Sequence, residues 1–89
     1  MPVVVTARAA EVLRRALEAG RLDPVDTAIR IGLARGLRGE EVRTGFAEEP
    51  EPGEQAVEVH GLRLFVPDDL VARGVTIDVS DEHERIVVR

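Results

Sequence analysis

Residues 56–66 read Ala-Val-Glu-Val-His-Gly-Leu-Arg-Leu-Phe-Val, and this stretch says most about the fold. Apolar and polar residues alternate on both sides of His60-Gly61, a pattern typical of strands with one buried face. A two-residue turn that contains glycine is typical of a tight β-hairpin. The stretch therefore predicts two antiparallel strands, residues 56–59 and 62–66. Four apolar side chains are expected to share one face of this hairpin: Val57, Val59, Leu62 and Leu64.

On the N-terminal side, residues 7–19 give the clearest helix signal of the chain. Thr6 is a good N-cap, and Gly20 stands where a C-cap glycine belongs. A β-branched run at residues 3–5 precedes the helix and predicts a short strand. Apolar residues within the helix recur at helical spacing, so that one stripe faces the core. This predicted stripe consists of Ala9, Val12, Leu13, Ala16 and Leu17.

Further strands are predicted at residues 28–34, 42–47, 76–79 and 85–88. Gly45 is expected to mark a bulge or a close approach within the second of these strands. A short helical turn after Pro67 is expected to end at Gly74. One N-terminal helix, this second helical turn and about six to seven short strands predict a β-rich α+β fold. The length corresponds to a single domain, residues 1–89.

Composition excludes several classes of function. The 89 residues contain no cysteine, which excludes thiol, disulfide and thiolate-ligated metal chemistry. The formal net charge of −5 argues against general binding to nucleic acids or anionic membranes. No apolar run approaches the roughly 18 residues that span a bilayer, and no signal-peptide segment opens the chain. We therefore expect a cytoplasmic protein.

The single serine, Ser80, lies near Asp78, Asp81 and His83, so a hydrolytic triad has to be considered. Such triads hold a nucleophile, a base and an acid in a geometry that is usually built from distant segments. Residues crowded into one hairpin loop rarely reach that geometry, and no oxyanion-hole glycine follows Ser80. A polar turn between two strands is the preferred interpretation, and no catalytic residue is assigned.

The two histidines and nearby carboxylates offer a second candidate, a metal site. His60 and His83 lie 23 residues apart, without the tight ligand spacing that is usual for zinc or iron. We expect both in exposed turns and assign no metal ligand and no cofactor. Metal binding through His and carboxylate side chains stays as the alternative function, together with anion binding at an arginine-rimmed loop.

That loop is expected between the strands at residues 28–34 and 42–47, and Arg30 and Arg43 flank it in sequence. Its Gly-x-x-Gly spacing superficially matches the loop that clamps nucleic acids in KH domains, but strands rather than helices flank it. No Gly-Lys-Ser/Thr follows, which excludes a phosphate-binding P-loop. The loop adds local positive charge to an acidic chain and is selected as the candidate interaction loop. Its residues are Arg35, Gly36, Leu37, Arg38 and Gly39.

Acidic residues dominate residues 48–58, which carry five glutamates and no base. Two prolines interrupt the first half of this run, so a solvated connector at residues 48–54, followed by a strand, is the preferred interpretation. A docking patch for a basic partner is the alternative.

Taken together, the order of these segments resembles the A-type iron–sulfur carrier (HesB/IscA-like) family, over nearly the whole chain. Each segment alone is unspecific, and their joint order and spacing carry the resemblance. The segments are V-V-V-T-A-R-A-A-E-V-L at residues 3–13, A-I-R-I-G-L at 28–33, G-F-A-E-E-P-E-P-G-E at 45–54, V-E-V-H-G-L-R-L-F-V at 57–66 and G-V-T-I-D-V at 74–79.

The resemblance implies a mixed β-sandwich or pseudobarrel with a helix packed on it, often dimeric or tetrameric. Family members hold or pass on iron or an iron–sulfur cluster through three cysteines. One lies in a G-C-S-G loop after the second strand, and two lie in a C-terminal C-G-C tail. Here Leu37 stands at the loop position, and no such tail precedes Arg89. Leucine has no donor atom for iron, which clusters bind through thiolates, so no ligand residue of the family can be carried over.

We therefore expect a non-enzymatic HesB/IscA-like domain, a protein-interaction or regulatory module related to iron–sulfur cluster biogenesis. Its expected partner is another protein, of iron–sulfur or iron metabolism, and a homodimer is also considered. General nucleic acids and membranes are not expected as partners. We expect Leu37→Asp to weaken association and to leave folding nearly intact.

Overall fold

The computed structural model describes residues 3–36, 39–80 and 85–89. Within them the chain forms strands and helices in the order β1 (Val3–Val5), α1 (Ala7–Ala19), β2 (Ala28–Gly36), β3 (Gly39–Ala47), β4 (Glu54–Val59), β5 (Leu62–Pro67), α2 (Asp68–Arg73), β6 (Val75–Val79) and β7 (Ile86–Val88). The predicted β-rich α+β class, with one N-terminal helix and a short second one, is confirmed. Among the described residues no helix has the length and apolarity needed to cross a membrane.

The strands form two mixed sheets. One sheet has the order β1-β6-β7, with β1 parallel and β7 antiparallel to β6. The other has the order β3-β2-β5-β4, in which only the central pair β2 and β5 is parallel. Because β3 and β4 occupy opposite edges of this second sheet, the connection between them has to cross from one edge to the other. Within the described residues, β7 and β3 are each paired on one side only.

Helix α1 begins as predicted, because the Thr6 hydroxyl accepts a hydrogen bond from the backbone N–H of Ala9 at 3.2 Å. Gly20 is its C-cap, but the left-handed backbone conformation belongs to Arg21, with φ 56°. The buried residues of the helix are Ala9, Ala10, Leu13 and Leu17. Ala16 is exposed and Val12 is only partly buried, so the buried stripe is rotated slightly toward Ala10 from the predicted one.

The predicted hairpin is confirmed. Strands β4 and β5 pair in antiparallel register, with Val59 opposite Leu62 and Val57 opposite Leu64. The turn residues His60 and Gly61 both have positive φ, 54° and 75°, the conformation of a two-residue turn that suits strand twist.

One cluster of aliphatic side chains from both sheets and both helices makes the core. Its most buried members include Ile31 on β2, Leu64 on β5 and Ile77 on β6. Among the side chains described, β3 and β7 supply only partly buried members to this cluster: Val42, Ile86 and Val88. The core is therefore only partly covered on the side where these two edge strands lie.

Two predictions in the region of β2 and β3 are wrong. The strands extend further than expected, so that Arg35 and Gly36 belong to β2 and Gly39 belongs to β3. Gly45 marks neither a bulge nor a close approach, because it pairs in regular register with Arg30 and no atom lies within 4 Å of a Cβ built on it. The regular antiparallel pair therefore includes three residues of the predicted loop, Arg35, Gly36 and Gly39, and no bulge interrupts it at Gly45.

Candidate functional site

The candidate interaction loop coincides with the end of the β2–β3 pair. Gly36 and Gly39 are register partners, as are Arg35 and Glu40. Leu37 and Arg38 lie outside the described residues. The backbone thus brings Arg35, Gly36 and Gly39 together at one end of a strand pair, and what this end contacts stays a prediction.

Arg30 does not belong to this loop, which corrects the sequence interpretation. It lies toward the other end of β2, opposite Gly45, and its guanidinium contacts the acidic connector instead. Arg30 Nε donates to Glu54 Oε2 at 2.8 Å, and Nη2 donates to the backbone oxygen of Glu49 at 3.2 Å. Nη1 lies 3.8 Å from Glu51 Oε1. The charge of Arg30 is therefore used within the fold.

The same contacts explain how the acidic connector is held. Glu54 Oε1 also accepts the backbone N–H of Glu51 at 2.8 Å, so one carboxylate bonds both the arginine and the connector backbone. The side chain of Glu54 is only 10% exposed. The hydrogen bond from Arg30 lowers the pKa of Glu54 against the opposing effect of desolvation. These contacts favour a structural role for Glu54, while Glu48, Glu49, Glu51 and Glu58 stay exposed.

The residues around Ser80 are also used structurally, as far as they are described. Asp78 Oδ1 accepts the Val79 N–H at 2.8 Å and the Thr6 hydroxyl at 2.9 Å, and Arg89 Nη1 lies 3.4 Å from Oδ2. The hydrogen bonds from Val79 and Thr6 lower the pKa of Asp78. The backbone N–H of Ser80 donates to Arg85 O at 2.7 Å, which continues the β6–β7 ladder. Asp81 and His83, the other members of the considered triad, lie outside the described residues.

His60 joins the β4–β5 hairpin to the N-terminal segment. Its Nε2 lies 2.7 Å from the backbone oxygen of Val5, and because a carbonyl only accepts, Nε2 carries a proton. Arg14 Nη2 donates to the backbone oxygen of His60 at 3.0 Å. The second histidine, His83, lies outside the described residues. Across residues 3–36, 39–80 and 85–89 no three His, Asp or Glu side chains cluster as metal ligands would.

A groove of about 700 Å³ lies between β3 and β7, and the sequence interpretation missed it. Its apolar lining includes Leu33, Val42, Ile86 and Val88, which are partly buried residues packed against the core. Charged side chains also line it, namely Glu41, Arg73, Arg85 and Arg89. The segment Arg-Ile-Val-Val-Arg at residues 85–89 indicates part of this groove in the sequence, because two arginines flank a short apolar strand. Its position opposite β3 could not be read from the sequence.

Solved structures resemble this fold over almost the entire chain. IscA with a 2Fe–2S cluster matches at a TM-score of 0.71 and 18% identity, over 98% of this chain and 81% of that one. Escherichia coli SufA, involved in the biosynthesis of iron–sulfur clusters, matches at 0.66 and 21%, with the same coverage. The solution structure of a protein from Aquifex aeolicus matches at 0.75 and 20%, over 100% of this chain and 91% of that one.

By sequence, no protein-family model and no curated protein matches the chain. The structural likeness therefore shows the fold: this chain has the fold of the A-type iron–sulfur carriers, and it contains no cysteine. The resemblance inferred from the order of the segments is confirmed at this level.

Proposed function

We propose that this chain is a non-enzymatic HesB/IscA-like domain that binds another protein, one of iron–sulfur or iron metabolism, without itself carrying a cluster. The observation that carries the proposal is the combination of this fold with a complete lack of cysteine among the 89 residues. A scaffold of this fold can bind another protein without the cysteine thiolates that a cluster would require. A cytoplasmic location and a homodimer remain predictions.

The residues present do not fit an iron–sulfur cluster. Iron in such clusters is held by thiolates, with histidine as an occasional substitute. This chain supplies no thiolate, and Leu37 stands where the resemblance puts the loop cysteine. Of the groups that could replace thiolates, His60, Glu54 and Asp78 are hydrogen-bonded within the fold.

The lack of a described catalytic arrangement supports the non-enzymatic part of the proposal. Among the described residues, the carboxylates with a lowered pKa are Glu54 and Asp78, and each bonds an arginine or backbone N–H groups that organise the fold. A shifted pKa is a functional signal only when structural partners do not account for it.

Leu37→Asp tests whether the candidate interaction loop contacts the partner. Attach an affinity tag to the wild-type chain and to the variant, and identify the proteins captured from the source cell. We expect the wild-type chain to retain a protein of iron–sulfur or iron metabolism and the variant to lose it, because a charge replaces an apolar contact. Far-ultraviolet circular dichroism should show the same thermal midpoint within a few degrees for both chains.

Two results would count against this use of the loop. If both chains retained the same partner equally, the loop would not be the contact. If Leu37→Asp unfolded the chain, Leu37 would be a core residue rather than a contact residue. A chain that retained no such partner at all would contradict the proposed function itself.

A further inference from the structure

From the groove between β3 and β7 we infer a docking site for an extended segment of a partner protein, in which acidic and aliphatic residues alternate. The segment adds as a strand to the free edge of β7. This inference rests on the proposed protein-binding function and names the surface and the chemistry of the partner. Strand addition to an exposed sheet edge is a common way of recognising peptides, because main-chain hydrogen bonds supply affinity and alternate side chains supply specificity.

The hydrogen-bond pattern of β7 identifies which backbone groups are free. Arg89 and Thr76 exchange two hydrogen bonds, at 2.8 and 3.0 Å, and Arg85 O accepts from Ser80 N–H at 2.7 Å. In an antiparallel ladder every second residue bonds toward the neighbouring strand, so residues 85, 87 and 89 face β6. The N–H and C=O groups of Ile86 and Val88 therefore point away from β6. Among the described strands, only β6 pairs with β7.

Side-chain alternation gives the partner its pattern. Ile86 and Val88 lie opposite the buried residues Val79 and Ile77, so their side chains face the core. Arg85 and Arg89 project from the other face of the strand, since successive side chains alternate. A strand added beside β7 would place its own side chains on the same two faces. Aliphatic residues would then extend the partly covered core, and the residues between them would meet the arginines.

The positive charge of the groove favours acidic residues on the face of the added strand that meets Arg85 and Arg89. Among the residues that the structure describes, three arginines and one glutamate line the groove, in a chain whose formal net charge is −5. Arg89 is paired with Asp78, whereas no described residue forms an ion pair with Arg73 or Arg85. The local excess of positive charge attracts carboxylates and disfavours a basic strand. The overall negative charge argues against nucleic acid as the occupant.

A small molecule and a second copy of the chain fit the groove less well. No buried polar or charged side chain is found among the described residues, so the groove lacks the fixed polar groups that orient a small ligand. A symmetric dimer would place the arginine-lined groove against itself. The chain's own acidic connector carries prolines at positions 50 and 52 and is held by Arg30, so it does not supply the strand.

Synthetic peptides of seven residues test the inference: one alternates glutamate with valine, and its control alternates lysine with valine. We expect the glutamate peptide to bind with a Kd below about 1 mM at low salt and the lysine peptide to bind about tenfold more weakly or not at all. In ¹⁵N-resolved NMR spectra the amides of Ile86 and Val88 should shift most. Arg73→Glu combined with Arg85→Glu should weaken binding of the glutamate peptide about tenfold.

Arg43→Glu is the matched control, because Arg43 is an exposed arginine on β3 that does not line the groove. This variant should bind the glutamate peptide as tightly as the wild-type chain does.

Equal affinity for the two peptides, or amide shifts away from β7, would overturn the inference without requiring any variant to fold. The inference would also be overturned if sedimentation showed a dimer and the amides of Ile86 and Val88 shifted as that dimer formed. Cluster assembly by the chain would refute the proposed function alone, whereas a cluster-free chain that ignored the glutamate peptide would refute this inference alone.

Discussion

At the scale of single residues, Arg30 shows how one side chain can organise a long connection. Its guanidinium contacts Glu49, Glu51 and Glu54, and so fixes the connector between the two edge strands of the larger sheet. The sequence places Arg30 near Arg35, the other arginine of β2, but nearness along a strand does not tell which end of it faces a distant loop. The pair Arg30–Glu54 spans 24 residues, and only the crossing connection brings its members together.

Glu54→Gln is expected to weaken the pH dependence of stability. The folded-state pKa of Glu54 lies below its ordinary value of 4.5, so the ionised carboxylate stabilises the fold above that pH. This contribution is lost as the pH falls through the folded-state pKa. Thermal midpoints between about pH 5 and about pH 3 should therefore fall less steeply in Glu54→Gln than in the wild-type chain.

Glu58→Gln is the matched control for this measurement, since Glu58 is an exposed carboxylate on the same strand. Its midpoint should fall between these pH values as steeply as that of the wild-type chain, because this substitution leaves the bond between Arg30 and Glu54 in place. Identical slopes for all three proteins would mean that the bond between Arg30 and Glu54 does not contribute to stability in solution.

At the scale of elements, short-range patterns decided which parts of the sequence were predictable. Helix α1 and the β4–β5 hairpin are defined by their own periodicity, cap and turn residues, and both were predicted with nearly correct bounds. The end of β2 and the start of β3 were not, because glycine at positions 36 and 39 suggested a loop. Cross-strand pairing extends as far as these two glycines, and such pairing depends on the partner strand rather than on local propensity.

Two glycine-to-alanine substitutions distinguish the effect of turn geometry on stability from the effect of replacing a glycine in an ordinary strand. Gly61→Ala should lower the free energy of unfolding by about 1 to 2 kcal/mol, since an L-residue in the left-handed region carries that penalty. Gly45→Ala should leave it unchanged or raise it by up to about 1 kcal/mol, because a Cβ there meets no atom within 4 Å and the backbone is an ordinary strand. Urea unfolding measures both values. Equal losses in the two variants would show that the turn geometry of Gly61 is not what matters.

At the scale of the whole molecule, the fold was accessible from sequence although no single segment was specific. The order and spacing of five ordinary segments matched one known layout, and the likeness to IscA and SufA over 98% of the chain agrees with it. The groove could not be predicted from the sequence, because its apolar and charged residues come from β2, β3, α2, β6 and the segment around β7. Their meeting depends on how the two sheets pack, which local patterns do not determine.

The central claim is that this fold acts here without a cluster, and anaerobic reconstitution tests it most directly. The purified chain and IscA as positive control are incubated with ferrous iron and sulfide, desalted, and compared by visible absorption and by iron and sulfide content. We predict that IscA keeps its chromophore and that this chain, which has no thiolate among its 89 residues, keeps none. A stable cluster at stoichiometric occupancy on this chain would contradict the account.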